Sequence, residues 1–397
     1  MIQLLARSES LLSNTDTGFI RYLYGKINWN SRLIGIKGAR GTGKTTMLLQ
    51  WLKLQNLPSG KAAYFSLDDL YFTNNSLFET AREFYSLGGK ILLLDEVHKY
   101  PTWSKEIKNI YDFYKDFKII FTGSSIIDIS KQQGDLSRRA IIYELPGMSF
   151  REYLAIKKIA FINAIEMEEL LNNPVVMKGM LQKDFRPLQH FKNYIQTGYY
   201  PFVMDEEESI YQKINQLIRS IVENDMVELA DFDIRNAKKM LQLIYVIAQQ
   251  VPFKPNVSAL AIKTTIHRNT LNNYFHYLEQ ARIINLLYPA GKSIATLQKP
   301  EKIFLNNTNL QYALAGEQAD TGSLRETFFL SQLLPLHQVQ MPKKGDFIVN
   351  NKYTFEIGGK GKDLKQIKNI KNSFIVRDDI ETPVAAILPL WMFGLLY

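Results

Sequence analysis

The sequence predicts an α/β fold with a parallel sheet in its first third, a helix-rich middle and an α+β unit at its end. The first observation is a glycine-rich loop, GARGTGKTT, between a short apolar run and a helix with an apolar stripe. The second is the continuous apolar run at residues 91–94, which is typical of a strand buried on both faces of a parallel sheet. The third is that residues 206–250 carry apolar residues at helical spacing, after which PFKPN marks a boundary.

A chain of 397 residues is too long for one compact core, so two to four domains are expected. We expect no membrane span and no signal peptide, and we interpret the apolar tail VAAILPLWMFGLLY, interrupted by Pro389, as a buried element. The absence of cysteines excludes disulfides, thiolate catalysis and cysteine-based zinc sites, and it suits a reducing cytoplasm. The net charge of +9 fits either an anionic partner or a basic surface that binds nothing.

The glycine-rich loop has the pattern G-x-x-x-x-G-K-T, with a predicted strand before it and a predicted helix after it. Glycines allow backbone N–H groups to close around phosphate oxygens, and the helix N-terminus adds positive potential. Lys44 has the reach for the β- and γ-phosphates, and the Thr45 hydroxyl is a ligand for Mg²⁺. We therefore predict ATP and Mg²⁺ as cofactors. The predicted nucleotide-binding residues are Gly38, Ala39, Arg40, Gly41, Thr42, Gly43, Lys44, Thr45 and Thr46.

Two acidic residues end the apolar strand at residues 91–94, about fifty residues after the glycine-rich loop. This arrangement is typical of a Walker B motif. Asp95 is predicted to hold Mg²⁺ through water, and Glu96 to polarise the attacking water. The adjacent glutamate indicates hydrolysis rather than nucleotide binding alone.

These motifs resemble those of the AAA+ ATPases, specifically a prokaryotic branch of the P-loop superfamily. The stretches that carry the resemblance are GIKGARGTGKTTMLLQ, ILLLDEVHKYPTW, IIFTGSS, DLSRRA and LPGMSFREYL. The resemblance covers roughly residues 15–235 and implies a five-stranded parallel sheet with helices on both faces, followed by a helical lid. We expect the ATP-binding core at residues 1–155 and the lid at residues 156–235. The segment LQHFKNYIQTGYYPF resembles a recurring segment of this branch, and we expect it to pack in the lid.

The resemblance also implies two further kinds of catalytic group. Related ATPases keep a polar sensor of the γ-phosphate after the strand FKIIF; we favour Ser124, with Thr122 as the alternative. Arg138 and Arg139 precede one more apolar strand, and an arginine there can reach into a neighbouring subunit's site. In that case the protein is a homo-oligomer. The other interpretation is an arginine pair on the surface.

The segment VSALAIKTTIHRNTLNNYFHYLEQARIINLLYPA predicts a short helix, a turn near residues 264–266, a longer helix to about Gln280 and a strand. This order resembles a winged helix-turn-helix, expected at residues 236–298, with Tyr274, Leu278 and Ile283 in its core. The second helix would then contact DNA phosphates or base edges, although such units also serve protein contacts. The predicted DNA-binding residues are His267, Arg268, Asn269, Thr270 and Asn273.

The C-terminal third, residues 299–397, predicts a helix with Glu326, a strand that follows Asp346, an Asn-Asn turn and a strand with Glu356. This order resembles the PD-(D/E)xK restriction-endonuclease fold. The resemblance implies that Asp346 and Glu356 hold a divalent metal ion, with Glu326 in support.

The lysine that such a site needs is absent from its expected position, which Gly358 occupies. Lys360 or Lys362 would have to replace it, and we include Lys360 in the predicted site. We therefore expect a nuclease-like domain that no longer cuts. Its basic segment KGKDLKQIKNIK either contacts phosphates or forms a solvated helix face.

Three functions remain open from the sequence. The first is ATP hydrolysis that acts on DNA, for example branched or partly unpaired DNA, held by the winged-helix and nuclease-like units. The second is a nucleotide-dependent switch in signalling or defence that works through protein partners. The third is a metal-dependent DNA nuclease gated by ATP. The basic charge and the pairing of the two units favour the first, and the missing lysine counts against the third.

Overall fold

The structure is a computed structural model that describes residues 1–125, 136, 138–173, 185–204, 208–229, 232–252, 257–291, 300–362 and 367–397. The chain forms two compact units, Met1–Pro146 and Gly147–Tyr397. The first unit thus ends before residue 155, where the end of the ATP-binding core was expected. The ends expected for the lid at residue 235 and for the winged-helix unit at residue 298 stay predictions. Parts of PFKPN, DLSRRA and KGKDLKQIKNIK lie outside the described residues, and so does residue 298. No helix of the described part is long and apolar enough to cross a membrane.

The first unit contains five strands and five α-helices in its described residues. The strands are β1 Leu33–Gly38, β2 Ala62–Ser66, β3 Ile91–Asp95, β4 Lys118–Ser124 and β5 Ile141–Glu144. The helices are α1 Ile2–Asn14, α2 Lys44–Leu54, α3 Tyr71–Asn74, α4 Leu77–Ser86 and α5 Trp103–Phe113, with short 3-10 turns at Tyr22–Gly25 and Val97–Lys99. All five strands are parallel, in the order β2-β3-β4-β1-β5. The five-stranded parallel sheet expected from the sequence is confirmed.

The three central strands of this sheet are almost wholly buried, because their apolar runs face packed layers on both sides. Gly35 on β1 is closely packed: a Cβ there would be 2.4 Å from Ile142 and 2.7 Å from Phe121. Parallel strands bring their carboxyl ends to one edge of the sheet. Gly38 therefore pairs with Ser124 across β1 and β4, and Asp95 ends β3 beside them.

Helix α1 packs on strand β2, which is an edge strand of the sheet. Ser8 on α1 is buried, and its hydroxyl oxygen accepts a hydrogen bond from the backbone N–H of Tyr64 at 2.9 Å. A side chain of α1 therefore satisfies a backbone donor that no neighbouring strand pairs.

The second unit contains helices and seven strands in its described residues. Its helices are α6 Phe150–Ile156, α7 Met167–Asn172, α8 Pro187–Thr197, α9 Ile210–Ser220, α10 Met226–Leu229, α11 Ala237–Ala248, α12 Val257–Thr264, α13 Arg268–Gln280, α14 Thr308–Ala315 and α15 Thr321–Leu333. Its strands are β6 Ile284–Leu287, β7 Lys302–Leu305, β8 Val339–Gln340, β9 Phe347–Val349, β10 Tyr353–Gly358, β11 Ser373–Arg377 and β12 Ile387–Pro389. A π-helical turn, Ile221–Asp225, joins α9 to α10, and 3-10 turns lie at Pro201–Met204, Ile234–Asn236, Gly316–Gln318 and Leu390–Leu395.

Helices α12 and α13 meet at a short turn and are followed by strand β6, in the positions that the sequence predicted. Strand β6 pairs with β7 as a two-stranded antiparallel sheet. Tyr274, Leu278 and Ile283 are buried, as expected for the core of this segment. Identification of the segment as a winged helix stays a prediction.

The last third of the chain forms a mixed five-stranded sheet in the order β12-β11-β10-β9-β8. The first three strands along the chain are antiparallel neighbours, whereas β10, β11 and β12 are parallel. Asn350 and Asn351 take left-handed φ values of 52° and 55° between β9 and β10, which confirms the predicted Asn-Asn turn. Of the predicted apolar tail VAAILPLWMFGLLY, residues 388–397 are buried, whereas Val384 and Ala385 are exposed, so the prediction of a buried element is confirmed for its last ten residues only.

The two short motifs that the resemblance singled out both pack inside the second unit. Ser149 in MSFREYL caps α6 by accepting a hydrogen bond from the Glu152 N–H, and Arg151 donates to the carbonyl oxygen of Tyr397 at 2.8 Å. In GYYPF, the N–H of Tyr199 donates to the Asn309 side chain at 2.7 Å. These contacts give both motifs a packing role.

Candidate functional site

The glycine-rich loop runs from the end of β1 at Gly38 to the start of α2 at Lys44. Gly41 and Gly43 have φ values of 81° and 90°, in the left-handed region that glycine adopts without strain. At Gly38 a Cβ would lie 2.4 Å from the carbonyl oxygen of Leu145, so the loop can pass there only without a side chain. The glycines of the motif are therefore required by the backbone path.

Lys44 is buried, and its ammonium group folds back over the loop. Its Nζ donates to the carbonyl oxygens of Gly38 at 3.0 Å and of Ala39 at 3.1 Å. From the other side, the buried guanidinium of Arg21 donates to the carbonyl oxygens of Thr42 and Pro146. Arg21 was missed in the sequence analysis because nothing in its flanks distinguishes it from a surface arginine.

Asp95 lies at the centre of the site and accepts hydrogen bonds from three hydroxyl groups. The Thr45 hydroxyl donates to its Oδ2 at 2.6 Å and the Tyr64 hydroxyl at 2.7 Å, while Thr122 donates to its Oδ1. Burial and the nearby Asp95 carboxylate raise the pKa of Tyr64, so this phenol stays protonated and remains a donor. The two sequence motifs thus meet at the Thr45–Asp95 contact.

Glu96 follows Asp95 with a left-handed φ of 50°, and its backbone N–H donates to the Thr122 hydroxyl oxygen at 3.2 Å. Its side chain is one-third exposed, and its Oε2 lies 3.2 Å from Nε2 of His98. Burial, together with the nearby Lys99, Lys44 and Arg40, lowers the pKa of His98 to about 3. The His98–Glu96 contact is therefore a hydrogen bond from a neutral imidazole and not an ion pair.

Both candidates for the γ-phosphate sensor lie at this edge of the sheet. Thr122 is fully buried and already joins Asp95 to the backbone of Glu96. Ser124 ends β4 opposite Gly38, and its backbone N–H donates to Nδ1 of His98 at 3.4 Å. Ser125, which the sequence analysis did not consider, has a buried hydroxyl oxygen with no hydrogen-bond partner among the described residues, and its N–H donates to the carbonyl oxygen of Gly38.

The two arginines before β5 differ in their surroundings. Arg139 makes a two-point ion pair with Asp112 on α5, with Nε–Oδ1 and Nη2–Oδ2 distances of 2.9 Å each. The same contact lowers the pKa of Asp112. Arg138 is exposed. The structure thus gives the two arginines different surroundings, whereas the sequence did not distinguish between them.

The predicted DNA-binding residues lie at the start of α13. His267 is the N-cap, and its Nδ1 accepts from the N–H of Asn269 at 3.4 Å. His267, Arg268, Asn269 and Asn273 are exposed, and Thr270 is half-buried. The side chains expected to contact a partner are therefore on the surface.

Three carboxylates and two lysines form a cluster in the second unit. Lys302 Nζ lies 2.9 Å from Glu326 Oε2 and 3.9 Å from Asp346 Oδ1. Burial raises the pKa of Glu326, an effect that Lys302 opposes and Asp346 reinforces. The predicted carboxylates do come together. However, within the described residues no three His, Asp or Glu side chains are arranged to hold a metal ion.

The lysine that contacts this cluster is Lys362, the alternative that the sequence left open, rather than Lys360. Lys362 Nζ lies 2.5 Å from Glu356 Oε1, and its aliphatic carbons occupy the space beside Gly358, 2.7–2.8 Å from where a Cβ would stand. Lys360 is exposed, because the chain turns at residues 359–362 instead of continuing the strand alternation. Oε2 of Glu356 is buried and has no hydrogen-bond partner in the described part of the chain, and burial raises the pKa of this carboxyl.

Comparison with known proteins relates the chain to one family and to two sequence domains. Residues 30–154 match an AAA domain, and residues 188–321 match a domain of unknown function, DUF8612. The uncharacterized protein MJ1637 of Methanocaldococcus jannaschii is 30% identical over 372 residues, which cover 86% of this chain and 78% of that protein.

Solved structures of ATPases resemble the chain only distantly. AMPPCP-bound DnaA from Aquifex aeolicus is 15% identical, with a TM-score of 0.26, and covers 70% of this chain and 88% of its own. PCH-2 of C. elegans is 14% identical, also with a TM-score of 0.26, and covers 70% of this chain and 66% of its own. Similarity this low carries no argument about fold or function.

Proposed function

The chain belongs to the same family as MJ1637 of Methanocaldococcus jannaschii and contains an AAA domain, and from this premise we propose that it hydrolyses ATP to act on DNA. The observation that carries the ATPase part is the 2.6 Å contact between Thr45 and Asp95, which joins the phosphate loop to the acidic end of β3. Around that contact lie Lys44 and Glu96, the cation and the carboxylate that phosphoryl transfer to water requires.

The residues present fit ATP and Mg²⁺. Gly41 and Gly43 hold left-handed backbone positions in the loop before α2, and turns of this kind direct backbone N–H groups toward phosphate oxygens. The Thr45 hydroxyl and the Asp95 carboxylate supply the hard oxygen ligands that Mg²⁺ prefers. When bound, the ion neutralises charge on the β- and γ-phosphates.

The side chains of the site divide the work of hydrolysis. Lys44 leaves the carbonyl oxygens of Gly38 and Ala39 and binds the β- and γ-phosphates. Thr45 and Asp95 hold the ion, and Glu96 accepts a proton from the attacking water. Ser124 or Thr122 senses the γ-phosphate, and the exposed Arg138 is the arginine offered to a neighbouring subunit in a homo-oligomer.

The DNA part of the proposal rests on the exposed start of α13 and on the net charge of +9. Arg268 and Asn273 are of the types that bind phosphates and base edges. Their position at the N-terminal end of the second helix of a helix-turn-helix suits insertion into a DNA groove.

The test is ATP hydrolysis by the full chain with no DNA, single-stranded DNA, duplex DNA and a four-way junction. We expect one DNA form to stimulate turnover, the stimulation to weaken as salt is raised, and Glu96→Gln to lower turnover by on the order of 100- to 10,000-fold, to a residual rate. Arg268→Ala should lose the stimulation and keep basal turnover, whereas Lys238→Ala, an exposed charge on α11, should keep both. Turnover that no DNA changes would instead favour a switch that acts on protein partners, and no turnover at all would contradict the ATPase.

The lysine found at the carboxylate cluster supports a second candidate function, metal-dependent cutting of DNA. The sequence counted against cutting because of Gly358, yet Lys362 supplies an ammonium group on Glu356. The test is cleavage with Mg²⁺ or Mn²⁺ by the wild type, Lys362→Ala and the matched control Lys360→Ala. Cleavage by the wild type and by Lys360→Ala, but not by Lys362→Ala, would support a nuclease. A wild type that cuts with neither metal would exclude one.

A further inference from the structure

His98 is a buried titratable residue to which neither sequence motif assigns a task. It lies on the 3-10 turn after β3, and its side chain is 1% exposed. Both ring nitrogens contact the site: Nε2 lies 3.2 Å from Glu96 Oε2, and Nδ1 accepts from the N–H of Ser124 at 3.4 Å. The ring therefore connects the end of β4 with the carboxylate that follows β3.

The hydrogen bonds determine which nitrogen carries the proton. Nδ1 receives the Ser124 N–H, so in the neutral ring the proton is on Nε2, where it is donated to Glu96. The ring stays neutral at physiological pH because burial and the nearby Lys99, Lys44 and Arg40 disfavour its charged form. A neutral donor orients a carboxylate without neutralising it, so Glu96 keeps its capacity to accept a proton.

We propose that His98 is a positioning residue for ATP hydrolysis, which holds the Glu96 carboxylate in the orientation needed to accept a proton from water. The inference rests on the proposed ATPase function and deepens it. Glu96 needs such support, because its side chain is one-third exposed and extends from a left-handed backbone position. A catalytic base that is displaced by about 1 Å loses rate on the order of 100-fold.

The coupling to Ser124 gives the contact a second consequence. Ser124 lies opposite Gly38 at the end of β4, and its N–H donates to Nδ1 of the ring, so the ring joins Glu96 to the strand end beside the phosphate loop. The chemical requirement is a ring that accepts at one nitrogen and donates at the other.

The experiment compares His98→Ala and His98→Gln with the wild type in steady-state ATP hydrolysis and in binding of a fluorescent ATP analogue. We expect His98→Ala to lower kcat by on the order of 10- to 100-fold while KM and nucleotide affinity stay within about twofold. His98→Gln should recover part of the rate, because its amide nitrogen can donate to Glu96. Lys105→Ala, which removes an exposed charge on α5, serves as control and should leave kcat within about twofold.

The double variant His98→Ala with Glu96→Gln separates positioning from a structural role. If His98 acts through Glu96, the double variant should be no slower than Glu96→Gln alone. A kcat for His98→Ala equal to that of the wild type, or above it, would overturn the inference and leave the ATPase standing. A wild type without turnover would instead overturn the proposed function itself.

Discussion

At the scale of single residues, the Asp95 carboxylate connects the elements of the candidate nucleotide site by accepting three hydrogen bonds. Thr45, Tyr64 and Thr122 all donate to it, and they come from α2, β2 and β4. A carboxylate held by three hydroxyl groups has little freedom to turn. In the proposed ATPase, this carboxylate would therefore be oriented for Mg²⁺ before the ion binds.

Tyr64→Phe removes one of these donors and changes little else. We expect the Mg²⁺ concentration needed for half-maximal hydrolysis to rise several-fold, and the free energy of unfolding to fall by about 1 kcal/mol. The measurements are a Mg²⁺ titration of ATPase activity and urea unfolding. Tyr85→Phe, which removes an exposed hydroxyl bonded to Asp116, serves as control and should change neither. An unchanged Mg²⁺ dependence in Tyr64→Phe would mean that two hydroxyls suffice.

Sequence reasoning found the residues of this site that belong to recognisable patterns and missed those that do not. The phosphate loop and Asp95 follow from local spacing that the backbone geometry demands, and the Thr45–Asp95 contact follows from parallel strands. Tyr64 is 31 positions from Asp95 along the chain, and only the pairing of β2 with β3 brings them together. No pattern within β2 signals which of its side chains faces the site.

At the scale of elements, the turn at residues 359–362 ends the part of the chain in which strand alternation predicts the direction of a side chain. Alternation along β10 cannot say which lysine faces Glu356, because the chain reverses after Gly358. Lys362 reaches the cluster from that turn and fills the space that the glycine leaves. The Asn-Asn turn between β9 and β10 was predictable, since both residues tolerate the left-handed conformation that the hairpin needs.

At the same scale, the side chain of Asn309 joins two helices: its hydrogen bonds link α14 to α8 and to the segment that follows α8. Its amide accepts from the Tyr199 N–H and donates to the carbonyl oxygens of Tyr194 and Ile195. Asn309→Ala removes the partner of the buried Tyr199 N–H, at roughly 1–3 kcal/mol before relaxation, and two further hydrogen bonds, although the carbonyl oxygen of Tyr194 keeps the Gly198 N–H as a donor. We expect the free energy of unfolding to fall by about 2–3 kcal/mol in urea titrations.

The matched control for this change is Asn224→Ala. Asn224 is exposed, and its side chain contacts only the Ser220 hydroxyl among the hydrogen bonds that the structure describes for it. Its stability should stay within about 0.5 kcal/mol of the wild type. Equal losses in both variants would show that Asn309 contributes no more than an ordinary surface amide.

At the scale of the whole molecule, the chain divides its proposed tasks between two compact units. Met1–Pro146 contains the nucleotide site, and Gly147–Tyr397 contains the exposed start of α13 and the carboxylate cluster. The parallel sheet of the first unit was predictable because its strands are long apolar runs. The boundary at Pro146 was not, because MSFREYL reads as a continuation of the core until Arg151 is seen to bind Tyr397.

The proposal that Arg138 acts on a neighbouring subunit makes a prediction about mixtures. Arg138→Ala and Glu96→Gln should each be nearly inactive, but an equal mixture should regain about a quarter of wild-type turnover. Half of the sites then carry Glu96, and half of those face a neighbour that carries Arg138. Arg82→Ala, an exposed arginine on α4, should be active by itself. A mixture that stays inactive would place Arg138 outside the neighbouring site.

The hydroxyl of Ser8 has a consequence for how the chain behaves among its copies. An edge strand with unpaired backbone groups is a template on which another chain can add a strand, and such contacts propagate into aggregates. By accepting the Tyr64 N–H, α1 closes part of that template. Loss of α1 through proteolysis would therefore do more than weaken the fold. It would expose the edge of β2 to strands of other copies, so α1 protects the protein from aggregation at high concentration.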